Sequence, residues 1–149
     1  MDALDRKILN MLSQNARTSL QNIAEACGMS TGSVHHRIKK LEEEGVIKGS
    51  RILVEYSRLG YQTMAYIGIF LEKAGQFREV LQRLEAIPEV VEASFTTGAY
   101  SLLTKVYCTD NRHLMQVLSE QIQVIPGVTR TETFISFEHA IDRALKIQE

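Results

Sequence analysis

Residues 20–49 read LQNIAEACGMSTGSVHHRIKKLEEEGVIKG, and this stretch decides the fold of the first third of the chain. Apolar residues recur at helical spacing on either side of Gly28, and we expect them to face inward: Leu20, Ile23, Ala24 and Cys27 before it, and Val34, Ile38 and Leu41 after it. A glycine directly after a helical pattern is typical of a helix that ends in a left-handed conformation. Ser19 and Ser30 are good N-caps. The stretch therefore predicts two helices joined by a tight turn, with Met29 packed back across that turn.

The second of these helices has a polar face opposite its apolar face. At about 100° per residue this face carries small residues first and basic residues later. Two helices with such a turn and such a face are typical of a helix-turn-helix, whose second helix enters the DNA major groove. Small residues allow close approach to the duplex, while lysines neutralise phosphates. The predicted DNA-contacting residues are Ser30, Thr31, Gly32, Ser33, His35, His36, Arg37, Lys39 and Lys40.

The segments on both sides of this motif complete the N-terminal domain. Asp2 is a good N-cap for a first helix, with Asp5 in its first turn. After Gly45 the pattern changes to a β-rich one over residues 46–54. This segment is interpreted as a small hairpin or an extended arm that serves as a basic wing, or else as a plain linker strand.

Composition limits the possible functions. The chain has 149 residues, 44% of them hydrophobic, which suits one medium domain or two small ones. We see no membrane span and no signal-like N-terminus, so we expect a cytoplasmic protein without membrane partners. Cys27 and Cys108 lie in apolar contexts and are expected to be reduced core thiols. No phosphate loop, nucleophile–base pair or metal-ligand spacing is present, so we expect no enzyme, metal or cofactor.

The charge balance indicates an oligomer. The net charge is −1, which is unusual for a DNA-binding protein. Residues 31–51 contain five basic residues against three glutamates, a local charge of +2. Such a module neutralises few phosphates and binds weakly alone. We therefore expect at least a dimer, with two recognition helices about one DNA turn apart.

The second half of the chain alternates between strand and helix patterns in the order βαββαβ. The predicted strands are residues 64–71, 90–97, 101–108 and 128–137, and the helical patterns span 77–87 and 114–125. Ile87-Pro88-Glu89-Val90 and Ile125-Pro126-Gly127-Val128 repeat one phrase that ends a helix and starts a strand. Two such halves predict a ferredoxin-like sandwich with four antiparallel strands and two helices on one face. Apolar residues on both faces of the last strand (Phe134 against Ile135 and Phe137) predict that a second subunit covers the other sheet face.

The predicted fold class is therefore α+β, a helix-turn-helix (winged-helix-like) domain joined to a ferredoxin-like sandwich for sensing and oligomerisation. The predicted domains are residues 1–49 for DNA binding, 50–62 as a connecting strand or linker, 63–138 for the sandwich, and 139–149 as a C-terminal tail.

Several motifs resemble the Lrp/AsnC, or feast/famine, family of prokaryotic regulators across essentially the whole chain. They are Leu4-Asp5-Arg6-Lys7-Ile8-Leu9, Asn15-Ala16-Arg17, Ile23-Ala24, Gly28-Met29-Ser30, Arg37-Ile38 and Leu41-Glu42-Glu43-Glu44-Gly45-Val46-Ile47. The resemblance implies that the sandwich senses amino acids and forms homodimers. It also implies a ring of dimers, an octamer, with small amino-acid effectors in the clefts between dimers.

Three further stretches are Thr96-Thr97-Gly98-x-Tyr100-Ser101 in the effector loop, Leu59-Gly60-Tyr61 and Ile67-Gly68-Ile69. They are similar to the asparagine-responsive branch of that family. Many relatives carry Gly-x-Tyr/Phe-Asp in that loop, whereas this chain has Gly98-Ala99-Tyr100-Ser101, so a carboxylate that could hold a ligand ammonium is missing. Loop N–H groups, the Ser101 hydroxyl and three threonines that alternate along the last strand could hold a ligand instead. The alternative for those threonines is plain β-propensity on a sheet surface. The predicted ligand-binding residues are Thr97, Gly98, Ala99, Tyr100, Ser101, Thr129, Thr131 and Thr133.

These observations favour a transcriptional regulator whose DNA binding or assembly responds to an amino acid such as asparagine. The alternative is a ligand-independent architectural DNA-binding protein, motivated by Ser101 and by the weak local charge. The operator, the direction of regulation and the exact oligomer do not follow from the sequence.

Overall fold

The computed structural model describes residues 1–148, which divide into two compact units. One comprises Met1–Leu53 together with the described residues after His139, and the other comprises Val54–His139. No helix among the described residues is long and apolar enough to cross a membrane.

The first unit contains three helices: α1 (Ala3–Gln14), α2 (Leu20–Cys27) and α3 (Thr31–Glu43). Each begins at the predicted cap. Asp2 and Asp5 form a reciprocal capping box on α1, and the hydroxyls of Ser19 and Ser30 accept the N–H groups of Asn22 and Ser33. These caps satisfy N–H groups that have no partner within a helix. The core contains Ile8, Ile23, Ala24 and Val34, with Met11, Leu12, Cys27, Met29 and Ile38 packed around it.

The turn between α2 and α3 has the predicted geometry. Gly28 has φ +64° and ψ +38°, a left-handed conformation that a side chain would strain. The N–H groups of Gly28 and Met29 both donate to carbonyls of the last turn of α2. This closure fixes where α3 starts relative to α2. Leu20 was predicted to face inward but is 39% exposed, because it lies in the first turn of α2, at the edge of the core.

Residues 46–54 form no strand pairing in the structure, so the hairpin alternative is wrong. The chain is irregular here, and Ile52 and Leu53 are largely exposed. The extended arm and the plain linker both fit this irregular segment. β-Branched residues favour strands only when a neighbouring strand or a packed face is available, and this unit provides neither.

The C-terminal residues pack with the helical unit. The Asn10 side chain donates to the Ile147 carbonyl and accepts the Ile147 N–H, both at 2.8 Å. Ile147 also lines an apolar groove with Leu9, Leu12 and Ile38. Residues at the two ends of the chain therefore share one compact unit.

The second unit is a four-stranded antiparallel sheet with helices against one face. Its strands are β1 (Thr63–Leu71), β2 (Val90–Phe95), β3 (Leu102–Cys108) and β4 (Val128–Ser136), in the spatial order β2-β3-β1-β4. The helices are α4 (Phe77–Glu85) and α5 (Asn111–Gln116), which continues as a π-helical segment over Val117–Ile122. Short 3₁₀ helices cover Tyr56–Leu59 and Ala74–Gln76. The βαββαβ order is that of a ferredoxin-like sandwich.

The repeated Ile-Pro phrase has the same role in both halves. The Val90 N–H donates to the Ile87 carbonyl at 3.0 Å, and the Val128 N–H donates to the Ile125 carbonyl at 3.1 Å. Each proline lies in the turn between a helical segment and a strand, where its missing N–H costs no ladder hydrogen bond. The repeated Ile-Pro motif in the sequence therefore marks a structural repeat.

The two faces of the sheet have different surroundings. Ala65, Ile67 and Ile69 of β1 are fully buried in a core with apolar residues of both helices. Residues directly opposite in an antiparallel pair share a face. Register therefore places Tyr66 with Lys105 and Phe134 on the other face, which we call the open face.

Candidate nucleic-acid interface and effector site

The exposed face of α3 is the candidate nucleic-acid interface. Eight of the nine predicted contact residues are exposed, and Arg37 is the exception. The exposed residues are Ser30, Thr31, Gly32, Ser33, His35, His36, Lys39 and Lys40. Val34 and Leu41 on the opposite side are buried. Capping of Ser33 by Ser30 holds the first turn in place, and the two hydroxyls hydrogen-bond at 2.9 Å. A helix held in this way can present its N-terminal residues to base edges.

Gly32 has no role in the fold that requires a glycine. A Cβ built there would meet only the Ser30 hydroxyl at 4.0 Å, and Gly32 does not have a positive φ. The fold therefore needs this glycine neither for space nor for backbone conformation. A small residue at the start of a recognition helix leaves room for a close partner.

Arg37, which was predicted to contact DNA, already has two carboxylate partners within the chain. Its guanidinium donates to Asp2 at 2.7 Å and to Asp5 at 2.6 Å, which links α3 to the first turn of α1. Hydrogen bonds to these two carboxylates raise the pKa of Arg37. These two charge-assisted hydrogen bonds hold α3 against the first turn of α1.

The lysines of α3 have weaker attachments. Lys39 lies 3.8 Å from Glu43 and Lys40 lies 3.7 Å from Glu44, in pairs that are largely exposed. Exposed pairs of this kind contribute little to stability and exchange readily for other partners. Both lysines are therefore available to phosphates, although neighbouring glutamates reduce the local positive field.

We expect Arg37→Ala to lower the stability of the helical unit by about 1–2 kcal/mol, because two charge-assisted hydrogen bonds are lost from a partly exposed site. DNA binding should weaken equally at all sequences, since α3 is less well fixed. The slope of log affinity against log salt should stay unchanged. A DNA titration at several salt concentrations measures this slope, and a decrease of about one per site would show that Arg37 contacts a phosphate.

The capping box makes the helical unit sensitive to acid. The Asp5 N–H, followed by the Arg37 guanidinium, lowers the pKa of Asp2 below its ordinary 3.8, and the Asp2 N–H is the largest cause that lowers the pKa of Asp5. A lowered carboxyl pKa stabilises the fold above the unfolded value and ceases to do so as pH falls through the folded value. We therefore expect stability to fall below about pH 4. Asp2→Asn retains a cap but does not titrate, so its urea-unfolding free energy should fall less steeply with acid; an equal slope would contradict this.

The candidate effector loop joins β2 to β3. The Thr96 N–H donates to the Ser101 carbonyl at 3.0 Å, and the Ser101 N–H donates to the Ile69 carbonyl at 3.0 Å. Within residues 1–148, no backbone acceptor pairs with the N–H groups of residues 97–100. The loop therefore presents unpaired donors beside the Ser101 side chain, an arrangement suited to a carboxylate or carbonyl oxygen.

The predicted ligand residues do not form one pocket within a single chain. Thr131 and Thr133 lie opposite Ile69 and Ile67, on the side of the sheet that carries the helices. The Thr131 hydroxyl accepts from Gln123 at 2.9 Å, and the Thr129 hydroxyl donates to the Phe70 carbonyl at 3.2 Å. Tyr100 instead crosses the open face, and its hydroxyl donates to Glu132 at 2.8 Å. Thr131 and Thr133 share one face as predicted, whereas Thr129 lies at a β-bulge without a partner in the register, and the Tyr100 ring lies on the other face.

Reasoning from the sequence missed three features of the structure. They are the pairing of Arg37 with the capping box, the two hydrogen bonds between Asn10 and Ile147 (the Asn10 clamp), and the path of Tyr100 over Gly68. A glycine inside a strand often marks close approach of another group, so Gly68 was the available signal for the third. Among residues 1–148 there is no cluster of three or more His, Cys, Asp or Glu side chains suited to a metal ion. Burial, followed by the charges of Glu89 and Asp110, raises the pKa of the Cys108 thiol to about 11.

Comparison with known proteins agrees with both halves of this description. The family model described as winged helix-turn-helix DNA-binding matches residues 1–48, and the model described as Lrp/AsnC ligand binding domain matches residues 64–145. Regulatory protein AsnC of Haemophilus influenzae is 40% identical over 146 residues, which cover 98% of this chain and 97% of that protein.

Solved structures agree as well. The structure of E. coli AsnC has a TM-score of 0.91 at 40% identity and covers 99% of both chains. A feast or famine regulatory protein from M. tuberculosis, complexed with L-methionine, has a TM-score of 0.88 at 26% identity and covers 95% of both chains. The helix-turn-helix, the four-stranded sandwich and these matches over nearly the full length lead to one conclusion: the chain belongs to the Lrp/AsnC family and is a DNA-binding transcriptional regulator with a ligand-binding domain.

Proposed function

We propose that this protein is an amino-acid-responsive regulator, with asparagine as the first candidate effector. The observation that carries the proposal is the match to proteins named AsnC over nearly the whole of both chains. The L-methionine complex of the tuberculosis relative supports the same class of ligand. We assign the effector to the loop of residues 97–101, where unpaired N–H groups face a ligand carboxylate or side-chain carbonyl.

We propose that the working form is a homodimer or a ring of dimers. The open face of the sheet carries aromatic side chains, among them Tyr66, Phe70 and Phe134, and the core against which α4 and α5 pack lies on the opposite face. A second copy is the simplest cover for such a face. Because the loop and the threonines of β4 lie on opposite sides of one sheet, a site that uses both needs a neighbouring copy as well.

We assign DNA contact to the exposed residues of α3 and leave Arg37 out. Effector binding then changes the assembly state or the spacing of the two recognition helices. The affinity for DNA changes as a result. This coupling is reciprocal, so DNA must change effector affinity by the same factor. The regulatory names of the relatives favour a binding protein over an enzyme.

Calorimetric titration with asparagine, then with leucine, methionine, glutamine and the remaining amino acids, tests the proposal. Sedimentation of the same samples follows assembly, and DNA titration with and without the bound amino acid measures coupling. Saturable binding of asparagine supports the full proposal, while binding of another amino acid alone replaces the effector. Absence of binding by all of them overturns the sensing function.

Two observations favour a second candidate, a ligand-independent architectural DNA-binding protein. The effector loop has Ser101 where many relatives have an acid, and commitment of Arg37 reduces the free positive charge of α3. A multivalent assembly could then bind DNA through many weak contacts. Long periodic footprints that ignore every amino acid would support this candidate.

A further inference from the structure

Tyr100 leaves the effector loop and crosses the open face of the sheet from β3 over β1 to β4. Its hydroxyl donates to the Glu132 carboxylate at 2.8 Å. Its ring makes edge contacts with Phe70 at a centroid distance of 5.3 Å and with Phe134 at 6.2 Å. The side chain is therefore held at its tip and along its length.

Gly68 provides the space for this path. A Cβ built on Gly68 would lie 2.4 Å from Cδ1 of Tyr100 and 2.6 Å from its Cγ and Cε1, closer than real contacts allow. Gly68 does not have a positive φ, so the glycine is needed for space and not for backbone conformation. A glycine in the interior of a central strand otherwise only weakens the strand. Its presence is explained by the ring that lies on it.

Glu132 is fixed on its other side too. Its second carboxylate oxygen forms a salt bridge with Arg130 at 3.0 Å, and the Arg130 guanidinium lies 4.0 Å from the centre of the Phe70 ring. Both oxygens of Glu132 thus have partners. The hydrogen bond with Glu132 raises the pKa of Tyr100.

Hydrogen bonds hold the backbone around Tyr100 in place, in addition to its side chain. The Thr96 hydroxyl donates to the Tyr100 carbonyl at 2.5 Å, and Ser101 pairs with Ile69. Residues 97–99 lie between Thr96 and Tyr100, which are held by these hydrogen bonds, and residues 97–99 are exposed. The anchored ring therefore determines where the unpaired N–H groups of the loop point.

We propose that Gly68, Tyr100 and Glu132 form an anchor that positions residues 97–101 to bind the effector, with Tyr100 as a positioning residue whose hydroxyl does not contact the ligand. This inference rests on the proposed function, because it assigns the effector to that loop. It implicates two residues outside the loop, Gly68 and Glu132, in effector affinity.

The packing is tested by a double-mutant cycle on thermal stability. Gly68→Ala should lower the unfolding midpoint by about 5 °C or more, as expected for a methyl group forced into a filled space. In a Tyr100→Ala background the same change should have no effect, because the clashing ring is gone. Gly75→Ala is the control, since a Cβ there meets no atom within 4 Å. An equal cost of Gly68→Ala in both backgrounds would overturn the anchor.

The positioning role is tested by calorimetric titration of the same variants with asparagine, or with the amino acid that binds the wild type. Gly68→Ala and Glu132→Ala should bind roughly tenfold more weakly, because the loop is no longer held in advance. Glu132→Gln retains an acceptor for the hydroxyl and should recover most of the affinity. Its Tyr100 phenol should titrate at lower pH in ultraviolet absorbance, measured as the difference from Tyr100→Phe.

The outcomes separate the anchor from the proposed function. If Gly68→Ala shows the clash but binds the effector like the wild type, the positioning role is wrong. If the wild type binds no amino acid, the proposed function fails, while the stability cycle still decides whether Gly68 makes room for Tyr100. Sedimentation of each variant identifies a loss of binding that follows from a change of assembly.

Discussion

Replacing both Lys39 and Lys40 with alanine should weaken DNA binding about 10²–10³-fold at low salt, whatever the sequence of the DNA. In a dimer the change removes about four phosphate contacts. Each contact contributes about 0.9 to the slope of log affinity against log salt, so the slope should decrease by about 3.6. The stability of the helical unit should barely change, because both lysines make only loose exposed pairs.

Ser33→Ala and His36→Ala are the matched comparison for the lysine pair. Both residues lie on the exposed face of α3, close to its N-terminal end. We expect them to change the preferred sequence while leaving the salt slope nearly as it is. Binding-site selection followed by titration at several salt concentrations distinguishes the two effects. If these variants lose affinity equally at every sequence, the assignment of α3 as the reading helix fails.

Ile23→Ala should abolish DNA binding while leaving effector binding intact. Ile23 is fully buried between the helices of the first unit, and truncation of such a residue costs about 2–5 kcal/mol. A helical unit of this size has little more stability than that. Urea unfolding followed by circular dichroism should show an early helical transition that precedes the unfolding of the sheet.

Ile67→Ala provides the reverse comparison. Ile67 is fully buried in the core between the sheet and its helices. Its truncation should destabilise the ligand-binding unit and reduce effector affinity. If either variant eliminated both activities in equal measure, the two units would not be independent in stability, contrary to their division into separate compact units.

Much of the fold could be predicted because its signals are local. The caps at Asp2, Ser19 and Ser30 lie directly before their helices, and each accepts a backbone N–H group as expected. Capping and turn chemistry act within a few residues, so a sequence pattern contains them in full. The alternating strand and helix patterns predicted the βαββαβ order along the chain, and the repeated Ile-Pro motif supported it.

The parts that could not be predicted depend on distant partners. Arg37 resembles any basic residue on a polar helix face, and only the approach of α1 shows that two carboxylates hold it. The β-rich pattern of residues 46–54 does not reveal that no strand is available to pair with it. Alternation placed the β4 threonines on one face, but it could not show that Tyr100 crosses the sheet on the other.

The clamp of Asn10 on Ile147 has a consequence for the order in which the protein matures on the ribosome. Domains generally fold as units during synthesis, starting from the N-terminus. Here the first helices to emerge belong to a unit that also includes residues 140–148. Residues 54–139 leave the exit tunnel before that segment does, so a nascent chain can complete its effector sensor first. The helical unit therefore gains the contact between Asn10 and Ile147 only after residues 54–139 have emerged.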